Sequence, residues 1–251
     1  MINLKASDWS IEGVECVLFD KDGTFVDLHH FWGKMTEMRA LEVIKKYNLS
    51  QEKFELICSF LGYDINNKKM LPDGITALYS RVKIIEIFNK NLNEMGVMST
   101  NNDIEILFDN VSDEFYKNID KYTKPINSAI NFIKNLYEKN IALGVVTSDS
   151  VTSTNLTLKQ FDFGDMFQVV VGRESSEYTK ESGFPTKIAL KELKADRKKT
   201  IMIGDAPMDY ISAKNAGIEH CILVATGQIN KEELLKTSNF TVNDLSEIII
   251  Y

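Results

Sequence analysis

Short apolar runs that stop abruptly in polar residues recur along the chain: 14–20 (VECVLFD), 142–147 (ALGVVT), 167–171 (FQVVV), 200–205 (TIMIGD) and 221–224 (CILV). They have strand length, and most lack the in/out alternation of a half-exposed strand, so they suit a parallel sheet covered on both faces. Between them lie stretches with helical spacing at 126–139, 152–161, 186–194, 208–216 and 231–235. Strand and helix alternate through the C-terminal half, which predicts successive right-handed βαβ units in an α/β, Rossmann-like three-layer core.

Residues 28–124 break that rhythm. Four amphipathic stretches, 31–47, 51–61, 75–94 and 101–120, follow one another with almost no strand signal, and the third repeats Ile75, Leu78, Val82, Ile85 and Phe88 near a helical period. The expectation is an inserted all-α domain at 28–124, interrupting a sheet domain formed by 1–27 and 125–251.

Composition narrows the function classes. The formal charge is −7, without the broad basic surface that grips a nucleic-acid backbone, so nucleic acid is not expected as a partner. No apolar run approaches a membrane span and the first residues carry no secretory pattern, so no membrane association is expected and a cytoplasmic location is. Cys16, Cys58 and Cys221 are too scattered for a metal-binding pair or a disulfide framework, and are expected as buried thiols.

Ligands of open parallel sheets bind beyond the carboxyl ends of the strands, which directs attention to the residues that end each run. The first run ends in Asp20-Lys21-Asp22-Gly23-Thr24, and the fourth in Gly204-Asp205-Ala206-Pro207-Met208-Asp209. Taken singly, each could be a polar turn. An EF-hand loop fits the opening Asp20-x-Asp22, but Phe31 stands where that loop needs its bidentate glutamate. If the two strands are adjacent, three or four carboxylates meet at one point, and a hard divalent cation such as Mg²⁺ relieves their repulsion. The second run ends in Thr147-Ser148-Asp149-Ser150 directly before a helix, which suits either an anion site or an ordinary N-cap. Lys180 follows the third run and can offset the acidic cluster.

With these residues in view, the chain resembles the haloacid dehalogenase-like hydrolase superfamily, in its phosphoglycolate phosphatase-like subgroup with a helical cap inserted after the first strand. FDKDGTFVD (19–27) is similar to the first family motif, GVVTS supplies the second at Thr147, and GDAPMDYISAKNAG (204–217) is similar to the fourth. Lys180 stands at the family's usual distance before Asp205, although Glu181 and not proline follows it. Lys187, in Pro185-Thr186-Lys187, competes for that role.

The resemblance implies Asp20 as nucleophile, forming an aspartyl-phosphate, and Asp22 as the acid and then the base. It implies Mg²⁺ held by Asp20, Asp205 and the backbone carbonyl of Asp22, with Asp209 in support. Thr147, Ser148 with nearby backbone N–H groups, and Lys180 would hold the phosphoryl oxygens. The cap would close over the site and read the rest of the substrate, with His29, His30, Trp32, the segment 63–69, Arg81 and Arg173 as candidates for that contact. The expected activity is hydrolysis of a small-metabolite phosphate monoester by a monomer or homodimer. The alternatives are a sugar phosphomutase, which keeps the same aspartate pair, and a non-catalytic module that binds a phosphate ligand.

Overall fold

The computed structural model describes all 251 residues, and the chain separates into two compact units, 1–27 with 124–251, and 28–123. The first unit opens with β1 (Ile2–Lys5) and β2 (Ser10–Val14), followed by β3 (Cys16–Phe19).

The second unit then begins with α1 (Leu28–Lys46), α2 (Phe54–Phe60) and a two-stranded antiparallel ladder, β4 (Tyr63–Asp64) with β5 (Lys69–Met70). It continues through α3 (Ile75–Leu78), α4 (Arg81–Glu94), α5 (Asn101–Lys117) and α6 (Ile119–Tyr122). Its interior is aromatic: Phe31 meets Phe115 at 4.9 Å between ring centroids and Phe88 meets Phe108 at 5.5 Å.

Three local expectations are corrected in this unit. The segment 63–69 forms a hairpin in which Asp64 Oδ1 accepts from the Asn67 N–H at 3.0 Å. The stretch 75–94 is two helices, because Tyr79 and Ser80 are extended. Val82 is 77% exposed, and the buried face of α4 is Ile84, Ile85, Phe88 and Leu92. The break resets the helical phase, so the stripe starting at Ile75 does not continue past Leu78. The stretch 101–120 is likewise interrupted, at Asn118.

The first unit resumes with α7 (Asn127–Glu138), β6 (Ala142–Val146), α8 (Val151–Gln160), β7 (Val169–Val171), α9 (Phe184–Glu192) and β8 (Thr200–Gly204). It ends with α10 (Pro207–Ala216), β9 (His220–Val224), α11 (Lys231–Leu234), β10 (Thr241–Val242) and β11 (Ile249–Ile250). Six strands form a parallel sheet in the order β10-β9-β8-β3-β6-β7. A separate antiparallel sheet, β11-β1-β2, ties the start of the chain to its end.

The continuous apolar character of β3 follows from its place. Flanked by β6 and β8, it is wholly buried on both faces. On one face Cys16, Leu18 and Met202 pack with Ala189, Leu190, Ala213 and Ala216 of α9 and α10. On the other, Phe19 contacts Phe167 at 5.9 Å, and Phe167 in turn contacts Phe25 and Phe163. The register sets Phe19 level with both Val145 and Ile203, so β3, β6 and β8 end together. From β3 the chain first adds β6 and β7 to one side, then returns to add β8, β9 and β10 on the other. This reversal of strand order at β3/β8 is where open α/β sheets form their ligand crevice. All three cysteines are buried and free. No helix is long and apolar enough to cross a membrane.

Candidate active site

At the end of β3 the chain turns sharply. The carbonyl of Lys21 accepts from the Phe25 and Val26 N–H groups, each at 3.1 Å, and Gly23 adopts φ +84°. That left-handed conformation favours glycine, and a Cβ there would also fall onto the Asp205 carboxylate. Asp205 leaves β8 opposite this turn. Pro207 starts α10, and Asp209 in its first turn accepts from the Ala206 N–H through Oδ2 at 3.0 Å, fixing the carboxylate at the helix entrance.

The structure gathers Asp20, Asp205 and Asp209, with one carboxylate oxygen from each within 4.8 Å of the others and all three side chains buried. Lys180 joins them from a short turn after β7: its Nζ lies 2.5 Å from Asp20 Oδ1 and 2.6 Å from Asp209 Oδ1. Asn215 of α10 anchors that turn by donating to the Glu181 carbonyl at 2.7 Å. Lys187 is exposed on α9, its ammonium 5.8 Å from the Phe184 ring centroid. Lys180, not Lys187, is therefore the lysine beside Asp20.

Asp22 points elsewhere. Its carboxylate is 2.5 Å from Nζ of Lys21, which also reaches Asp149 at 3.1 Å. Thr147 is buried at the end of β6, with its N–H bonded to the Val171 carbonyl at 2.9 Å and its Oγ1 accepting from the Asp149 N–H at 3.1 Å. Ser148 is exposed and donates to the Met208 sulfur at 3.7 Å. Ser150 caps α8 by accepting from Ser153 N–H at 3.1 Å.

Of the other candidates, Arg173 stands beside Asp149 at 3.6 Å. Arg81 pairs with Asp109 at 2.5 Å within the helical unit. His29 Nδ1 accepts from the Met70 N–H at 3.1 Å, a structural tie between α1 and the hairpin. His30 and Trp32 are half-buried on α1.

Sequence reasoning missed three contributors. Lys21 and Asp149 are one: they form a buried ion pair across a long stretch of chain. Thr226 is the second, its hydroxyl donating to the Gly23 carbonyl at 2.6 Å from the loop after β9. Gly227 is the third, because a Cβ there would overlap the Asp205 carboxylate. The usable signal was Ala225-Thr226-Gly227 at the exit of a further buried strand.

The electrostatics follow from this burial. Asp20 is pushed up to about 6, first by burial and then by Asp209, with Lys180 opposing. Asp205 is held well above the carboxylate range by burial and by the charges of Asp20 and Asp209. Asp22 is also raised to about 6 by burial, against the pull of Lys21. For Asp149 burial is outweighed by Lys21 and by bonds from Ser153 and Ser150, and it lies below the usual range. Lys180 and Lys21 are raised because their aspartate partners outweigh burial.

These groups fit a hard divalent cation. Lys180 bridges Asp20 and Asp209 and leaves Asp205 without an ammonium partner. A buried carboxylate among like charges, supplied with oxygen donors only, has the chemistry of a Mg²⁺ ligand.

The family model for haloacid dehalogenase-like hydrolases matches residues 17–223, from β3 through β9. This chain belongs to the haloacid dehalogenase-like hydrolases. A Caldanaerobacter subterraneus subsp. tengcongensis protein assigned by name to the PpaX pyrophosphatases is 29% identical to this hydrolase over 205 residues, 82% of this chain and 79% of that one. The phosphoglycolate phosphatase of Neisseria meningitidis serogroup A is 24% identical over 210 residues, 83% and 79% of the two chains. A solved structure assigned to the phosphoglycolate phosphatases, from Haemophilus somnus, superposes with a TM-score of 0.71 at 16% identity, covering 94% of this hydrolase and 97% of that chain. At that identity the structural likeness establishes the shared fold.

Proposed function

We propose that this hydrolase is a Mg²⁺-dependent phosphatase of small phosphate compounds, acting through an aspartyl-phosphate on Asp20. The observation that carries the reading is the meeting of Asp20 with Lys180 at 2.5 Å, beside Asp205 and Asp209, at the sheet's switch point. The names of the relatives support phosphate monoesters and pyrophosphate as the substrates to try first.

Asp20 Oδ attacks phosphorus while the bond to the leaving oxygen breaks, and the Asp22 carboxyl gives that oxygen its proton. Asp22, now a carboxylate, then takes a proton from water as the water attacks the aspartyl-phosphate, releasing inorganic phosphate and Asp20. A carboxyl raised to about 6 can serve as both donor and acceptor near neutral pH. Lys180, the Thr147 hydroxyl, Ser148 and the backbone N–H groups that open α8 would bind the phosphoryl oxygens. Asp20, Asp205 and the carbonyl of Asp22 would hold Mg²⁺, with Asp209 in support; when bound, the ion supplies positive charge that lets an anionic nucleophile approach an anionic substrate.

The test is phosphate release from pyrophosphate, phosphoglycolate and a set of sugar phosphates. Release is expected with Mg²⁺, is expected to stop with EDTA, and is expected to fall by at least about 10³-fold in Asp20→Asn. An Asp20→Asn protein as active as the parent would show another nucleophile. Conversion of a sugar phosphate to its positional isomer without stoichiometric phosphate release would make the enzyme a mutase.

A further inference from the structure

The site contains a second lysine clamp that the proposed chemistry does not use. Lys21 has no exposed surface, so it is not presented to a ligand, while the Asp22 side chain that it touches keeps 12% of its surface open. The far end of Lys21 is held firmly. Asp149 Oδ2 lies 3.1 Å from its ammonium, and Asp149 Oδ1 accepts from the Ser150 N–H at 2.7 Å and faces Arg173 at 3.6 Å. The Asp149 backbone is pinned as well, its N–H on Thr147 Oγ1 and its carbonyl accepting from the Arg173 N–H at 2.9 Å. The β3 turn fixes the backbone of Lys21 and, through Gly23 N–H on the Val26 carbonyl at 2.8 Å, that of the residues around Asp22. What remains free is the direction of the Asp22 carboxylate, and the Lys21 ammonium at 2.5 Å sets it.

We propose that Lys21, anchored by Asp149, is a positioning residue that aims the Asp22 carboxyl at the leaving oxygen, and that it thereby couples the loop after β6 to proton delivery. This rests on the reading of Asp22 as the proton donor. A buried salt bridge is not in itself a gain in stability, since an apolar pair of the same volume is often as good. Its placement against the carboxyl proposed as proton donor points to orientation.

In the step concerned, the Asp20 Oδ–P bond forms and the bond from phosphorus to the leaving oxygen breaks. The electron pair goes to that oxygen, which also receives the Asp22 proton. An alkoxide needs the proton; 2,4-dinitrophenolate leaves without it. The experiment compares kcat/KM, which reports phosphoryl transfer to Asp20, for an alkyl phosphate and for 2,4-dinitrophenyl phosphate, in the parent, Asp22→Asn and Lys21→Met, each with Mg²⁺. Asp22→Asn is expected to lose about 10²-fold or more on the alkyl ester and roughly tenfold less on the aryl ester. Lys21→Met is expected to show the same bias in direction.

Equal losses of Lys21→Met on both esters, with Asp22→Asn biased, would overturn the positioning role and leave Asp22 as the donor. An unbiased Asp22→Asn would overturn the donor reading itself, and the positioning role with it. If Lys21→Met does not fold because Asp149 is left unpaired, the double variant Lys21→Met/Asp149→Asn removes that charge and is read by the same ratio. Absence of bias there counts equally against the proposal.

Discussion

At the strand exits Asp20, Asp205 and Asp209 are buried within reach of one another, whereas the interior of the helical unit carries its buried charge differently. There Arg39, 4% exposed, holds its guanidinium carbon 4.0 Å from the centroid of the Phe108 ring, which itself packs on Phe88. One region packs a cation on an aromatic face, an arrangement that is favourable without any ligand. The other concentrates three buried carboxylates, with Lys180 bridging only Asp20 and Asp209, so that part of their mutual repulsion is left uncompensated within the chain. The difference separates a charge settled by its packing from charges that packing leaves in tension. It also predicts opposite signs for substitutions in the two regions.

Among the carboxylates that Lys180 does not bridge, a large effect is expected at Asp205. Asp205→Asn removes a buried charge that has no lysine partner, so phosphatase kcat/KM should fall by about 10²–10³-fold. In EDTA the melting temperature should instead rise by several degrees. Excess Mg²⁺ should raise the melting temperature of the parent and leave that of the variant nearly unchanged. A variant less stable than the parent in EDTA would break the comparison at its strongest point.

In the helical unit the sign reverses. Phe108→Ala opens a cavity beneath Arg39, and should cost about 3–5 kcal/mol in denaturant unfolding. A loss below about 1 kcal/mol would mean that the aromatic interior contributes far less than its burial implies. Between these extremes lies Gly227→Ala. Its new methyl group would meet the Asp205 carboxylate, so a loss on the order of tenfold in activity is expected, together with weaker Mg²⁺ binding by calorimetry. Full activity would show that the loop after β9 yields freely.

The two regions also differed in how much of them the sequence disclosed. The strands β3, β6, β8 and β9 were legible because burial on both faces writes an unbroken apolar run, and an aspartate or threonine that ends such a run is visible without knowledge of the fold. The same logic reached Asp20, Thr147, Asp205 and Asp209. It did not reach the Lys21–Asp149 pair, since nothing local to either residue announces a partner so distant in the chain. Strands β1, β2 and β11 were missed because they are short, partly exposed and joined across the whole chain. In the helical unit the stripe from Ile75 concealed a break that depends on the extended backbone of Tyr79 and Ser80. Periodicity reports which residues can share a face, and tertiary packing decides which of them do.

The last comparison is a pH dependence, whose sign distinguishes the strand-exit carboxylates from the aromatic interior. Asp20 and Asp22 carry folded values of about 6 against 3.8 for the unfolded chain, and Asp205 is raised in the same direction. Between pH 6 and pH 4 the folded state therefore binds more protons than the unfolded state. The stability contributed by these groups is complete below the unfolded value and is lost as pH rises through 6. In EDTA the parent should gain on the order of 1–3 kcal/mol on going from pH 7 to pH 4.5. Asp149 has the opposite sign: its contribution is present above 3.8 and disappears as acid is added below that. Stability should thus pass through a maximum near pH 4–5. Saturating Mg²⁺ requires the carboxylates ionised and should invert the slope between pH 7 and pH 5. Phe108→Ala alters none of these strand-exit carboxylates, so it should lower the whole curve without moving its maximum. A maximum that stays at neutral pH in EDTA would mean that the strand-exit carboxylates are not held against one another in the free enzyme.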